Sequence, residues 1–170
     1  GSAFMDDGTS NGGQISGLAV CQGVEMGSRL GQPGDKRLEL RDDGKMYIVD
    51  STASVGEGTR DASEFHPALI VDGVDLSAQS TWTGPQPRAV LGQSDRLETM
   101  MVIVEGRLAD SPGCSVVDVA AKMVDYGCVQ ALNLDGGTSA IMYYKGEYIT
   151  RCSNTALPGG RTLPSAWVYK

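Results

Sequence analysis

The sequence predicts an α+β fold: a twisted, mixed β-sheet with one main helix packed on it and several β-hairpins. The 170 residues include 23 glycines, about twice the average usage, which is typical of tight turns between short strands. Two Asp-Gly pairs lie between apolar segments, and this pattern predicts hairpins. Only residues 115–126 repeat apolar side chains at helical spacing. The length suits one domain, so we expect residues 1–170 to form a single domain.

The predicted strands are short. Two hairpins are expected, one across Asp43-Gly44 and one across Asp72-Gly73. The polar segments 1–16 and 52–63 are predicted to be long loops, and residues 80–87 to be an extended connection. Within that connection, Trp82 fits either a core position or a sugar-stacking platform. The strands are expected at residues 18–22, 37–40, 46–49, 68–71, 74–76, 100–104, 131–134, 140–144, 148–151 and 166–169.

One helix is predicted near residues 115–126. Ser115 is placed to cap it, with Asp118 three residues later as a weak capping box, and Gly127 is placed to end it. A buried strand follows directly, and ligands often bind at the end of such a strand. The apolar face of the helix would consist of Val116, Val119, Ala120 and Met123.

Composition excludes several classes of partner. The formal net charge is −7, and no basic patch is present to neutralise the phosphates of nucleic acid or an anionic membrane. No apolar run approaches the length of a membrane span. Four cysteines without metal-binding spacing and a single histidine do not match a zinc site. We therefore expect no metal or cofactor, although a divalent cation near Asp6-Asp7 stays open. We expect the four cysteines to be isolated thiols.

The most informative segment is A-L-N-L-D-G-G-T-S at residues 131–139. In a strand, Asn133 and Asp135 would share one face, and a polar pair there costs free energy unless a ligand or partner meets it. A plain hairpin turn is the alternative interpretation. The residues that follow offer close backbone approach, N–H groups and hydroxyls suited to an anion or a sugar; they are Gly136, Gly137, Thr138 and Ser139.

Several motifs occur in a characteristic order. P-R-A-V-L-G-Q at 87–93 and M-V-I-V-E-G-R at 101–107 precede the helix, and Gly160-Arg161 follows the 131–139 segment. Two segments near the start belong to the same pattern: residues 1–7 as a loop, and residues 16–23 as the strand and turn that follow it. This order resembles the phosphodiester glycosidase family over almost the whole chain. The sequence departs from the family at Thr138, where the family has a glycine, and at Glu105, where it usually has an aspartate.

The resemblance implies a hydrolase that cleaves a sugar 1-phosphodiester on a glycan or cell-envelope polymer, in the extracellular space or cell envelope. Because phosphate is a good leaving group, one carboxylate and an anion clamp suffice. Asp135 is the expected carboxylate, facing the sugar as base or nucleophile, with Arg88 binding phosphate and Glu105 as the second acid if one exists. The expected substrate-binding residues are Asn133, Gly136, Gly137, Thr138, Ser139 and Arg161.

Two other functions stay open at this point. A non-catalytic glycan-binding module would keep Arg88 and the glycine loop without needing Asp135. A phosphoesterase cutting P–O would use Ser139 or Thr138 as nucleophile. The family also has strands before the position of Gly1, so we expect an uncovered sheet edge, met by a missing N-terminal segment or a homodimer contact. His66 is expected to be a surface or core histidine.

Overall fold

A computed structural model describes residues 4–5, 14–29 and 34–169. The strand and turn expected at residues 16–23 lie in this part, whereas Asp6 and Asp7 lie outside it. Its single α-helix, α1, spans Val116–Asp125. The strands are β1 (Phe4–Met5), β2 (Gln14–Ile15), β3 (Ala19–Cys21), β4 (Val24–Met26), β5 (Lys36–Arg41), β6 (Met46–Asp50), β7 (Thr59–Phe65), β8 (Ala68–Val71), β9 (Val74–Asp75), β10 (Arg88–Ser94), β11 (Thr99–Val104), β12 (Cys128–Leu134), β13 (Tyr143–Tyr144) and β14 (Glu147–Tyr148).

Two five-stranded sheets dominate the fold. Sheet A has the strand order β11-β10-β12-β8-β9, and sheet B the order β4-β3-β7-β5-β6. Two short ribbons, β1-β2 and β13-β14, accompany them. The α+β class is confirmed. The pairs between the described strands are all antiparallel, so the mixed pairing that we expected is not observed among them.

Sheet A is the middle of three layers. On one face it packs against sheet B, through a core that includes Leu38 and Ile48 of sheet B and Leu132 of β12. On the other face it packs against α1, where Val119 and Met123 meet Ala131 of β12. Alternate residues of β12 therefore enter different cores, as the twofold period of a strand requires. The central strand β12 is buried on both faces, and the loop at residues 135–139 follows its last residue, Leu134.

The helix and both hairpins agree with the sequence prediction. Ser115 caps α1, and its side chain and that of Asp118 form a reciprocal capping box. Strands β5 and β6 pair across Asp43-Gly44, and β8 and β9 pair across Asp72-Gly73. No helix of the described residues is long and apolar enough to cross a lipid bilayer. The four cysteines are free.

Sequence reasoning was wrong about several strands. Residues 59–63, expected in a loop, belong to β7, the middle strand of sheet B. Its Glu64 is completely buried beside Arg37, at 3.6 Å between Nη1 and Oε1, so paired charges conceal a core strand from a hydrophobicity pattern. Strand β10 is absent from the predicted set. Residues 166–169 lie in no strand; there the indole of Trp167 donates to Ser63 Oγ at 2.9 Å.

Candidate active site

The antiparallel pairing of β10 with β12 creates the site. Ala89 is paired with Leu134, the last residue of β12. Arg88, the first residue of β10, therefore lies beside the loop that begins at Asp135. The end of a buried central strand and the start of its neighbour thus place a cation next to an acid.

A cavity of about 490 Å³ opens at this point. Asp135 and the glycine loop form one wall, and residues 81–84 and 86–88 form another. Phe65 and Leu134 contribute apolar surface. Of the expected site residues, those that line the cavity are Arg88, Asp135, Gly136, Gly137, Thr138 and Arg161.

Asp135 is held in place by charged and polar neighbours. Arg161 donates from Nη2 to Asp135 Oδ2 at 3.2 Å. Burial raises the pKa of Asp135 above its usual value, while hydrogen bonds from the Ser139 hydroxyl and the Gly136 N–H and the charge of Arg161 act in the opposite direction. The side chain keeps 20% of its surface exposed, so Asp135 can meet a ligand.

Arg88 is a buried cation without an acidic partner among the described residues. Its residue exposure is 5%. Nε donates to the carbonyl of Cys114 at 3.1 Å, and Nη2 donates to the carbonyl of Gly84 at 2.9 Å. Burial lowers the pKa of Arg88. Such a charge is costly to bury unless an anion compensates it, so Arg88 points to an anionic ligand in the cavity.

A third guanidinium, Arg107, was missed by the sequence reasoning. Arg107 lines the cavity, is exposed, and donates from Nε to Gln86 Oε1 at 2.7 Å. A Cβ atom placed on Gly137 would lie 3.4 Å from Arg107 Nη1. The available signal was its position at the end of the motif at 101–107, directly after Gly106.

The glycine loop allows close packing rather than providing an anion nest. A Cβ atom on Gly136 would lie 2.5 Å from the carbonyl oxygen of Pro87, and Gly137 has φ of +58°. The Gly137 N–H donates to the carbonyl oxygen of Pro87 at 3.3 Å, and the Ser139 N–H donates to the carbonyl oxygen of Gly136 at 3.0 Å. Because these two N–H groups are engaged within the chain, the guanidinium groups are the main donors available to an anion.

Ser139 lies just behind the cavity wall. Its Oγ accepts a hydrogen bond from Arg161 Nε at 3.0 Å, and its hydroxyl donates to Asp135. Ser139 therefore fixes the carboxylate of Asp135 and the guanidinium of Arg161 relative to each other. Only 9% of its surface is exposed.

Three other residues lie away from the cavity lining. Asn133 is buried and donates to the carbonyl of His66 at 2.9 Å. Asp135 does not share its face, since β12 ends at Leu134 and Asp135 no longer follows the strand alternation. Glu105 is paired with Arg151, at 2.7 Å between Oε2 and Nη2. The His66 Nδ1 atom lies 2.7 Å from Asp35 Oδ1.

The electrostatics of the cavity differ from those of the whole chain. Its described lining includes three guanidinium groups and one carboxylate, whereas the chain carries a formal charge of −7. A local positive excess in an acidic protein favours an anionic ligand at this place. The arrangement can hold an anion while it presents a carboxylate to a neighbouring atom.

Comparison with known proteins identifies the family. Residues 1–170 match the sequence model of the family described as phosphodiester glycosidase. The chain belongs to the phosphodiester glycosidase family. The chain is 28% identical over 163 residues to the uncharacterized protein YomE, derived from the SPbeta prophage of Bacillus subtilis strain 168. The match covers 89% of this chain and 25% of YomE.

The phosphodiester glycosidase fold is also known from a solved structure. The catalytic domain of zebrafish N-acetylglucosamine-1-phosphodiester alpha-N-acetylglucosaminidase, auto-inhibited by its pro-peptide, matches with a TM-score of 0.72 and 19% identity. The match covers 98% of this chain and 57% of that chain. The likeness shows a shared fold, and this chain spans only part of the length of both proteins.

Proposed function

We propose that this phosphodiester glycosidase hydrolyses a sugar 1-phosphodiester by cleaving the bond between the anomeric carbon and the phosphate oxygen. The observation that carries the proposal is that Asp135 shares one cavity with Arg88, Arg107 and Arg161. Membership of the family supports the same reaction.

The reaction consumes one water molecule. The anomeric C–O bond breaks, its electron pair leaves with the phosphate oxygen, and the water oxygen becomes the hydroxyl of the released sugar. One proton of the water stays on that hydroxyl, and the other is released to solvent. The other product is a phosphate monoester that carries the remaining substituent. Since this leaving group is stable as an anion, no second carboxylic acid is needed to protonate it. Glu105, held by Arg151 outside the described cavity lining, therefore takes no part in this proposal.

Each cavity residue has a role in this reaction. Arg88 binds the phosphodiester, because its buried charge has no acidic partner among the described residues. Arg107 reaches the cavity from the solvent side and stabilises the charge that develops as phosphate departs. Arg161 and Ser139 orient Asp135. Asp135 acts on the sugar side, as base toward water or as nucleophile toward the anomeric carbon.

Hydrolysis in water enriched in oxygen-18 tests the bond that breaks. The probe is the methyl phosphodiester of N-acetylglucosamine 1-phosphate, chosen because the zebrafish protein is named for that linkage. Mass spectrometry of both products is expected to find the label in the sugar and unlabelled methyl phosphate. Incubation of the free sugar with the enzyme in labelled water corrects for exchange at the anomeric position.

Two results would overturn the proposal. Label in methyl phosphate would mean P–O cleavage and would favour a phosphoesterase with Ser139 or Thr138 as nucleophile. Binding of a panel of sugar phosphodiesters without any turnover would favour a glycan-binding module. The natural substrate that we propose is a phosphate-linked glycan of the cell envelope or an extracellular polymer, in keeping with the family.

A further inference from the structure

Trp82 is an aromatic side chain in the wall of the cavity. It lies in the 81–84 segment, all four residues of which line the cavity. The residue retains 37% of its surface exposed. A large apolar ring that stays partly exposed inside a cavity can lower its free energy by contact with a ligand.

The indole ring is fixed before any ligand arrives. It meets the rings of His66 and Phe65 edge to face, at centroid distances of 5.1 and 6.3 Å. His66 is itself held by Asp35 and stacked on Phe65. The backbone N–H of Trp82 donates to Ser80 Oγ at 3.1 Å, which holds the main chain that carries the ring. Such an ordered ring loses little conformational entropy on binding.

The cavity therefore offers two kinds of surface close together. The Arg88 guanidinium lies over the Trp82 ring, with its central carbon 5.8 Å from the ring centre, so the cation and the part of the indole that stays exposed adjoin each other. A ligand that fills both places needs an anionic group and, next to it, a flat face of C–H groups. A pyranose ring bonded to phosphate has both features, whereas inorganic phosphate has only the first.

We propose that Trp82 is the platform on which the sugar ring adjoining the scissile bond stacks, so that this residue selects sugar phosphodiesters over other phosphodiesters. The inference rests on the proposed function for the identity of the ligand. The role is one of specificity: Trp82 binds the sugar, and Asp135 and the guanidinium groups act on the linkage.

Fluorescence isolates this residue, since the chain has two tryptophans, Trp82 and Trp167. In the Trp167→Phe variant, further changed by Asp135→Asn to prevent turnover, all tryptophan emission comes from Trp82. Titration with the methyl phosphodiester of N-acetylglucosamine 1-phosphate is expected to change that emission saturably. Dimethyl phosphate, which lacks the sugar, is expected to leave it nearly unchanged.

Calorimetric titration of Trp82→Ala and Trp82→Phe in the Asp135→Asn background supplies the second readout. Affinity for the sugar phosphodiester is expected to fall about tenfold in Trp82→Ala and to be largely kept in Trp82→Phe. Affinity for dimethyl phosphate should stay within about twofold in both. Equal losses for both ligands would overturn the inference, since they would show a merely structural role.

Failure of this inference can be told apart from failure of the proposed function. Sugar binding that depends on Trp82, in a protein whose native sequence hydrolyses no member of the panel of sugar phosphodiesters, would support the platform and overturn the proposed hydrolysis. Hydrolysis with unchanged KM in Trp82→Ala would support the enzyme and overturn the platform. If Trp82→Ala does not fold, the emission of Trp82 in the Trp167→Phe background still decides the question.

Discussion

Arg161 is hydrogen-bonded to Asp135 inside the cavity, at 3.2 Å between Nη2 and Oδ2. The side chains of Arg161 and Asp135 keep 24% and 20% of their surfaces exposed. The pair is therefore accessible to a ligand, unlike a structural ion pair closed within a core. The neighbours that set the pKa of Asp135 therefore also set the pH dependence of any reaction that uses its carboxylate.

The proposed hydrolysis should slow on acidification at a pH above the ordinary pKa of aspartate. Burial raises the pKa of Asp135 above the usual 3.8, so the ionised form that the reaction needs is lost at a higher pH than for an exposed aspartate. The measurement is kcat/KM for the sugar phosphodiester against pH. In Arg161→Gln the acidic limb should move further up, because a stabilising charge has been removed. A limb below pH 3.8 would contradict this assignment.

Replacing Arg88 by Met should remove phosphate binding without unfolding the protein. The variant loses two hydrogen bonds to carbonyl oxygens and the contact of the guanidinium with the Trp82 ring. It also loses a buried charge that has no acidic partner among the described residues, so stability should change by no more than about 1 kcal/mol. We expect kcat/KM to fall about 100-fold. Inorganic phosphate at about 100 times its Kd should raise the Tm of the native protein by ~5 °C and leave that of Arg88→Met unchanged. Equal shifts in both proteins would exclude Arg88 as the anion-binding residue.

Gly136 should not tolerate a side chain. A Cβ atom there would lie 2.5 Å from the Pro87 carbonyl oxygen, and relief of that clash moves the backbone that carries Arg88. We expect Gly136→Ala to lose about 1–3 kcal/mol in urea unfolding and to lose activity. Gly84→Ala is the matched control, because nothing lies within 4 Å of its Cβ position, and its stability should change by less than about 0.5 kcal/mol. Similar losses in both variants would refute the packing explanation.

Glu105 should contribute to stability and not to turnover. The Arg151 side chain lowers the pKa of Glu105 below its usual 4.5, so this contribution is present above that value and is lost as the pH falls through the folded-state pKa. Glu105→Gln is expected to cost at most about 1 kcal/mol at neutral pH. Its kcat should be unchanged, and the difference in stability from the native protein should vanish under acidic conditions. A large loss of kcat with retained stability would restore Glu105 as a catalytic acid.

The sequence predicted those parts of the fold in which local signals agree with the tertiary structure. The helix α1 was found because its apolar period and the capping residues Ser115 and Asp118 indicate the same boundaries. The loop at Asp135 stood out because an acid and two glycines follow a buried strand. Strand β7 was missed because the charge of Glu64 is compensated by Arg37 from another strand, which no local pattern reveals.

Contacts within the site were harder to predict than the site itself. The prediction that Asn133 and Asp135 share one face assumed that the strand continues past Leu134, and it ends there. The backbone of Arg107 has a φ of +58°, a left-handed conformation that is uncommon for a residue other than glycine and is not predicted by the sequence. The register of β10 against β12, which brings Arg88 beside Asp135, is a long-range property.

The most direct test of the account compares the turnover of Asp135→Asn with that of the native protein on the methyl phosphodiester of N-acetylglucosamine 1-phosphate. Phosphate-induced stabilisation of the variant serves as the control that its cavity is intact. We expect kcat to fall about 10²- to 10⁴-fold in Asp135→Asn, with the stabilisation by phosphate retained. Hydrolysis by Asp135→Asn at the native rate would contradict it.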